Sequence, residues 1–202
     1  MRGKRITLLV TGSIEAYKSV ELLRRFTKAG AIVKVGMSKA ATSFVGPLTF
    51  EALSNSPVAT DVCDIASERA MSHIDLADNC DVCVIAPATA DIIAKLAHGF
   101  ADDIVSATAL ACTTPIVIAP AMNVNMWQNP ATVANIKTLK KRGMHIVEPG
   151  NGELACGYTG EGRLADLDSI ELVTSRYCSR GDLQGVRVMI TAGPTWEQLD
   201  AV

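Results

Sequence analysis

The chain has 202 residues, is 49% apolar, carries a net charge of -2 and contains only four Phe, three Tyr and two Trp. That length fits one large domain, or one domain and the beginning of another, with a core of Ala, Val, Ile and Leu. Both charge signs are scattered, the longest basic run is Lys140-Lys141-Arg142, and no apolar run approaches a membrane span, so neither nucleic acid nor membrane is expected as a partner.

The N-terminus is basic, but the apolar run at residues 6–10 is too short for a signal-peptide core. A cytoplasmic location is expected, with all six cysteines reduced. Residues 5–10 read as a first strand, 15–29 as an amphipathic helix stopped by Gly30, and 32–37 as a second strand. Such a β-α-β unit implies a right-handed crossover and a parallel sheet. Its turn, Thr11-Gly12-Ser13, lacks the glycines of a dinucleotide fingerprint. One phosphate could sit on the helix N-terminus, with hydroxyls from Thr11 or Ser13; an ordinary strand-helix turn is the commoner alternative. Ser38 adds a hydroxyl directly after the second strand.

Short helices are expected at 40–45 and 49–53 around Pro47, then a loop at 54–57 and irregular structure or a short helix at 61–70. His73 lies between a polar loop and an apolar alternation, and a lone histidine is more often packed or at the surface than catalytic. Residues 81–86 form a third strand, ended by small residues and Thr89. Cys80 and Cys83 have CxxC spacing. A zinc site lacks a second ligand pair, and a thioredoxin-type pair opens a helix rather than a strand, so buried structural thiols are expected. Helices follow at 91–97, ended by Gly99, and at 104–111, capped by Asp. Asp102 and Asp103 either favour that helix start or face a bound ring.

Residues 115–118 read as a buried strand, and Asn129-Pro130 as the start of a helix over 130–142 closed by Gly143. Between them lies Ala119-Pro120-Ala121-Met122-Asn123-Val124-Asn125-Met126-Trp127, at the strand end where open α/β sheets bind ligands. Its amides and apolar walls suit a ligand; a hydrophobic loop closing the sheet is the alternative. A last strand is expected at 145–147. The glycine-rich stretch 148–163 reads as a mobile loop, a lid or a surface meander. A helix over 169–178 is expected, capped by Asp168 with Glu171 completing a capping box. The whole order predicts an α/β fold, a doubly wound, Rossmann-like parallel sheet with helices on both faces. Residues 1–178 form this domain, 179–184 a linker, and 185–202 the first strand and Gly-Pro turn of a second domain.

The string Pro120-Ala121-Met122-Asn123-Val124-Asn125-Met126-Trp127 resembles the Pro-x-Met-Asn-x-x-Met-Trp signature of the flavin-dependent cysteine decarboxylases. Gly12-Ser13-Ile14-Glu15-Ala16-Tyr17-Lys18, Ser72-His73-Ile74, Ala86 to Asp91 and Ala155-Cys156-Gly157 are similar to further motifs of the branch that makes coenzyme A, in the right order. Ile190 to Thr195 resembles the start of the ligase fused to that branch. Tyr158, Asp102, Glu15 and Trp196 depart from the family pattern, where aspartate, asparagine, alanine and arginine are usual.

The resemblance implies a flavoprotein fold and FMN-dependent decarboxylation of phosphopantothenoylcysteine, through thiol oxidation, loss of CO2 and re-reduction of an enethiolate. It implies that His73 assists oxidation and decarboxylation, that Asn123 orients the substrate carboxylate, and that Cys156 donates the last proton. Gly12, Ser13, Ser38, Thr89, Asp102, Ser106 and Met122 would lie near FMN. No metal is implied. Homo-oligomers are, as trimers with FMN at the subunit boundary or dodecamers built from them. A flavin prenyltransferase on the same fold and a non-catalytic flavin-binding subunit are the alternatives.

Overall fold

The computed structural model describes residues 1–62, 72–78, 80–153, 157, 159–179, 185–191 and 193. In chain order the elements are β1 (Arg5–Val10), α1 (Ala16–Lys28), β2 (Ile32–Met37), α2 (Pro47–Ser54), β3 (Val58–Ala59), α3 (Ser72–Asp78), β4 (Val82–Ala88), α4 (Ala90–His98), α5 (Ile104–Ala111), β5 (Ile116–Pro120), α6 (Val124–Trp127), α7 (Pro130–Lys141), β6 (His145–Ile146), β7 (Gly150–Glu153), β8 (Thr159–Arg163) and α8 (Leu167–Cys178). A single 3-10 turn, Ala41–Ser43, precedes α2.

Six strands form one parallel sheet in the order β3-β2-β1-β4-β5-β6. Alternation along the strands divides the core in two. Leu8, Val35, Val84 and Val117 point to the face covered by α1, α2 and α8. Leu9, Ile85 and Ile118 point to the face covered by α3, α4, α5 and α7. Each such fully buried side chain contributes about 1.5–3 kcal/mol by leaving water. Gly36 is needed for close packing: a Cβ there would stand 2.8 Å from Leu9 Cδ2 and 3.0 Å from Leu76 Cδ1, so α3 lies directly on β2. The Thr7 hydroxyl, buried beside it, donates to Leu76 O at 2.7 Å.

The helix boundaries follow their signals. Gly30, Gly99 and Gly143 all have positive φ just past a helix, where a side chain would be strained. Asn129 Oδ1 accepts from Ala131 N at 2.9 Å, capping α7 as its Asn-Pro start requires.

Four expectations need correction. Residues 150–153 and 159–163 are not a loop but an antiparallel hairpin, β7-β8. The segment around His73 is a helix, α3. Asp166, not Asp168, is the N-cap of α8; Asp168 lies in the first turn and pairs with Arg25 on α1, beside Glu171 3.8 Å from the same guanidinium. The signature loop contains a helical turn of its own, α6. Residues 180–184 of the linker expected at 179–184, and most of the expected irregular stretch at 61–70, lie outside the described residues.

Candidate active site at the carboxyl edge of the sheet

The strand order reverses direction between β1 and β4. Connections leave these two strands toward opposite faces, which opens a crevice at their carboxyl ends. Thr11 bridges that crevice. Its hydroxyl donates to Pro87 O at 2.6 Å and accepts from Thr89 N at 3.2 Å. Thr11 is buried, so this hydroxyl is committed to the scaffold. Ser19 on α1 adds a second tie, donating to Ala86 O at 2.7 Å. The Ala86-Pro87 bond is cis.

Gly12 lies against the turn after β2. A Cβ at Gly12 would stand 2.5 Å from Ala40 Cβ and 3.0 Å from Ala40 C, so only glycine lets the two turns meet. Ser38 opens the second turn: its Oγ accepts from Ala41 N at 3.3 Å. Ser13 Oγ likewise accepts from Glu15 N at 3.3 Å.

Glu15 sits at the N-cap of α1. A carboxylate there competes with any anion drawn to the helix N-terminus. Its oxygens, however, turn to protein partners. Oε1 lies 2.6 Å from Lys18 Nζ and 3.9 Å from Arg163 Nε, while Oε2 accepts from Leu164 N. The charge is thereby neutralised, and the first turn is fastened to the end of the hairpin.

Thr89 caps α4, its Oγ1 accepting from Ile92 N at 3.4 Å. Asp103 caps α5 through Oδ1, 2.9 Å from Val105 N and 2.8 Å from Ser106 N. Ser106 Oγ closes the capping box and is wholly buried, so it supports the edge from behind. Asp102 remains 56% exposed, with Lys95 Nζ 3.0 Å away. That ammonium holds the Asp102 carboxyl below the usual carboxylate range. Lys95, in turn raised chiefly by its bond to Asp103, joins three carboxylates: Asp91, Asp102 and Asp103. Its role escapes sequence reading, although its place four residues after Asp91 was a visible signal. A cavity of about 590 Å³ opens here, lined among others by Lys39, Thr42, Thr60, Asp61, Asp102 and Asp103.

The loop after β5 is held from the other side. Ala121 N donates to Ala88 O at 3.0 Å and Met122 N to Gly162 O at 2.8 Å. Asn123 caps α6, its Oδ1 accepting from Asn125 N at 2.8 Å. Met122 and Trp127 pack on the core, while Met126 is exposed. Gly160 and Gly162 let the hairpin press on this loop: a Cβ at Gly162 would stand 2.3 Å from Met122 O, and one at Gly160 2.9 Å from Val124 Cγ2. Cys156 lies in the connection between these two strands, outside the described residues, as does Tyr158.

α3 precedes β4, so its first turn, with His73, sits at the carboxyl edge. His73 Nδ1 is buried and has no hydrogen-bond partner among the described residues. A buried polar atom without a partner is costly unless a ligand serves it. The edge therefore combines a helix N-terminus, the hydroxyls of Ser13, Ser38 and Thr89, and one unsatisfied imidazole nitrogen. That set fits a phosphate-bearing, ring-containing cofactor. Among the described residues no hydrogen bond joins His73 to Asn123, and no group of three His, Cys, Asp or Glu side chains is spaced to hold a metal ion. No helix of the described residues is long and apolar enough to cross a membrane.

The coenzyme A biosynthesis bifunctional protein CoaBC of Vibrio cholerae serotype O1 is 46% identical over 204 residues, spanning all of this chain and 51% of that protein. The chain thus spans about half the length of the curated relatives it matches. Among solved structures, a PPC decarboxylase cysteine-to-serine mutant complexed with pantothenoylaminoethenethiol is 30% identical, with a TM-score of 0.78 over 88% of this chain and 100% of that one. The FMN binding protein AtHal3 is 31% identical, with a TM-score of 0.77 over 87% and 97%. The matched region, residues 1–178, ends where α8 ends, and over that region the chain belongs to the flavoprotein family.

Proposed function

We propose that the chain binds FMN at the carboxyl edge and decarboxylates phosphopantothenoylcysteine to phosphopantetheine, a step toward coenzyme A. The observation that carries this reading is the partnerless, buried Nδ1 of His73 at the edge that also holds Asn123 and the hairpin. Likeness to a PPC decarboxylase and an FMN binding protein supports the substrate and the cofactor.

The Ser13 hydroxyl and the N–H groups opening α1 would hold the FMN phosphate, with Gly12 keeping the floor of the turn low. Ser38, Thr89 and Met122 would flank the rest of the cofactor, with Asp102 at the cavity rim. FMN, when bound, would supply reversible hydride acceptance for oxidation of the substrate thiol and for re-reduction after decarboxylation. The chain's own groups manage protons and charge. His73 takes a proton as the thiol is oxidised. Asn123 orients the substrate carboxylate with a neutral amide that adds no charge. Cys156 gives the final proton to the enethiolate carbon.

The site is read as completed at a subunit boundary, in a homotrimer or a dodecamer built of trimers, acting in the cytoplasm. Residues 185–202 are read as the start of a ligase domain after a linker at 179–184; Val188, Met189 and Ile190 there are exposed.

Anaerobic incubation with phosphopantothenoylcysteine, following CO2 and the flavin spectrum together, tests the reading. CO2 release with transient flavin bleaching and a finished thiol product is expected. A protein that takes up no FMN, or takes it up and releases no CO2, sinks the assignment.

A further inference from the structure

The opposite edge of the sheet carries a second arrangement that the flavin reaction does not use. Three cysteines from two stretches meet there. Cys80 precedes β4, Cys83 lies within it, and Cys112 is the C-cap of α5. Cys80 Sγ and Cys112 Sγ are 3.7 Å apart. The Thr114 hydroxyl lies 3.1 Å from each of these two sulfurs. Cys83 is fully buried behind them, Cys80 nearly so, and Cys112 only partly.

A cavity of about 330 Å³ opens beside the cluster. Cys112 lines it with Thr114, Phe100, Leu110, Arg142 and Met144. Phe100 and Leu110 are exposed at its rim. Cys112 is thus the one member of the cluster that both lines this cavity and touches a second thiol. The neighbours favour charge on it. Hydrogen bonds from Cys80 and Cys83 hold the Cys112 thiol well below its ordinary range, whereas the same bonds, with burial, push Cys80 and Cys83 up. Arg142, anchored by its bond to Leu96 O at 3.0 Å, places a cation in the same wall. A thiolate is the nucleophilic form of cysteine, and a solvent-reachable one beside a second thiol has the arrangement of a peroxide-reactive pair.

We propose that Cys112 and Cys80 form a reversible dithiol that reacts with small hydroperoxides entering the cavity at the amino edge of the sheet. The Cys112 thiolate attacks the peroxide, forming an S–O bond and breaking the O–O bond. Hydroxide leaves and takes up a proton, which gives water and a sulfenic acid. Cys80 then loses its proton and attacks the Cys112 sulfur. The S–S bond forms, the S–O bond breaks, and a second water leaves. Two thiols are oxidised, and one hydrogen peroxide is reduced to two waters. The sulfurs stand 3.7 Å apart and must close to a bond of about 2.05 Å. The proposal does not depend on flavin or on decarboxylation.

The test uses the full chain with its flavin, first reduced, then exposed to stoichiometric hydrogen peroxide, alkylated with iodoacetamide and mapped by mass spectrometry. Cys80 and Cys112 should lose alkylation together. A peptide pair joined through them should appear, two hydrogens lighter, and dithiothreitol should reverse it. Cys80→Ser should leave a sulfenic acid on Cys112, captured by dimedone. Cys112→Ser should leave Cys80 fully alkylatable after denaturation. Cys112→Ala repeats that arm, and each variant is used only if its melting temperature matches the parent. Cys80 and Cys112 both remaining alkylatable would overturn the proposal, as would a bridge from either of them to Cys83 or another cysteine.

Discussion

The turn after β1 and the loop after β5 end strands of one sheet at one edge, but they are held in opposite ways. The turn is held from inside. Thr11 bridges to the end of β4, and Gly12 seats directly on Ala40. The loop is held from outside, by Met122 N on Gly162 O and by the contact of Val124 with Gly160. The first is part of the sheet's own frame and suits a cofactor that stays. The second depends on a hairpin added late in the chain and suits a substrate that comes and goes. Flavin binding and substrate handling should therefore respond to different substitutions.

The largest effect is expected where neither support is touched. His73→Asn should lower turnover about 100- to 10,000-fold, the range of a lost acid-base group, while FMN stays bound. Stopped-flow flavin bleaching and CO2 release measure it, and near-normal turnover would return His73 to a packing role.

Gly162→Ala attacks the outer support. The new methyl would meet Met122 O at 2.3 Å, at a φ of +145° that disfavours a side chain. Overpacking of this kind costs about 1–3 kcal/mol. Turnover should fall by more than FMN affinity, which the same loop touches only through Met122. A proportional loss of both would show that the two regions are not separable.

Thr11→Val attacks the inner support and should give the converse. It removes the hydroxyl that serves Pro87 O and Thr89 N, both near the crevice floor. A buried group left unserved costs about 1–3 kcal/mol. The melting temperature and FMN affinity should fall together, with turnover per bound flavin nearly kept.

Glu15→Ala should be the mildest: it removes the Leu164 hydrogen bond, about 1 kcal/mol, together with the pairs to Lys18 and Arg163. Hydrogen exchange reads it best. The amides of Leu164 and Met122 should exchange faster, and that of Thr89 should not. Equal acceleration of all three would contradict the division.

Much of the frame was legible in the sequence because its signals are local. The strands at 5–10 and 32–37 show short β-branched and apolar runs, and Gly30, Gly99 and Gly143 mark helix ends. Asn129 and Asp103 announce the helices they cap. The buried state of Cys80 and Cys83 followed from CxxC running into a strand. What escaped has physical reasons. α3 has seven residues with only Leu76 and Ala77 buried, too few to display a helical period. The hairpin is built from Gly-Asn-Gly-Glu and Thr-Gly-Glu-Gly-Arg, with no apolar alternation, so its strands exist through pairing and not propensity. Asp168 carried a capping pattern, but Arg25 draws its side chain elsewhere. Within the site, types of side chain were readable and partners were not. Nothing near Thr11 announces Pro87, and nothing near Cys80 announces Cys112.

The Glu15 clamp has a consequence for how the protein is made. Its two ends, the carboxylate and the Leu164 amide, are 149 residues apart. A ribosome adding about 5–20 residues per second leaves roughly 7–30 s between their emergence. During that interval β1 and β2 can already pair, and the first turn can already form. Glu15 then stands uncovered by Leu164 and Arg163, and Lys18 of the same helix meets its charge. The brace on the finished edge is thus among the last contacts that synthesis allows.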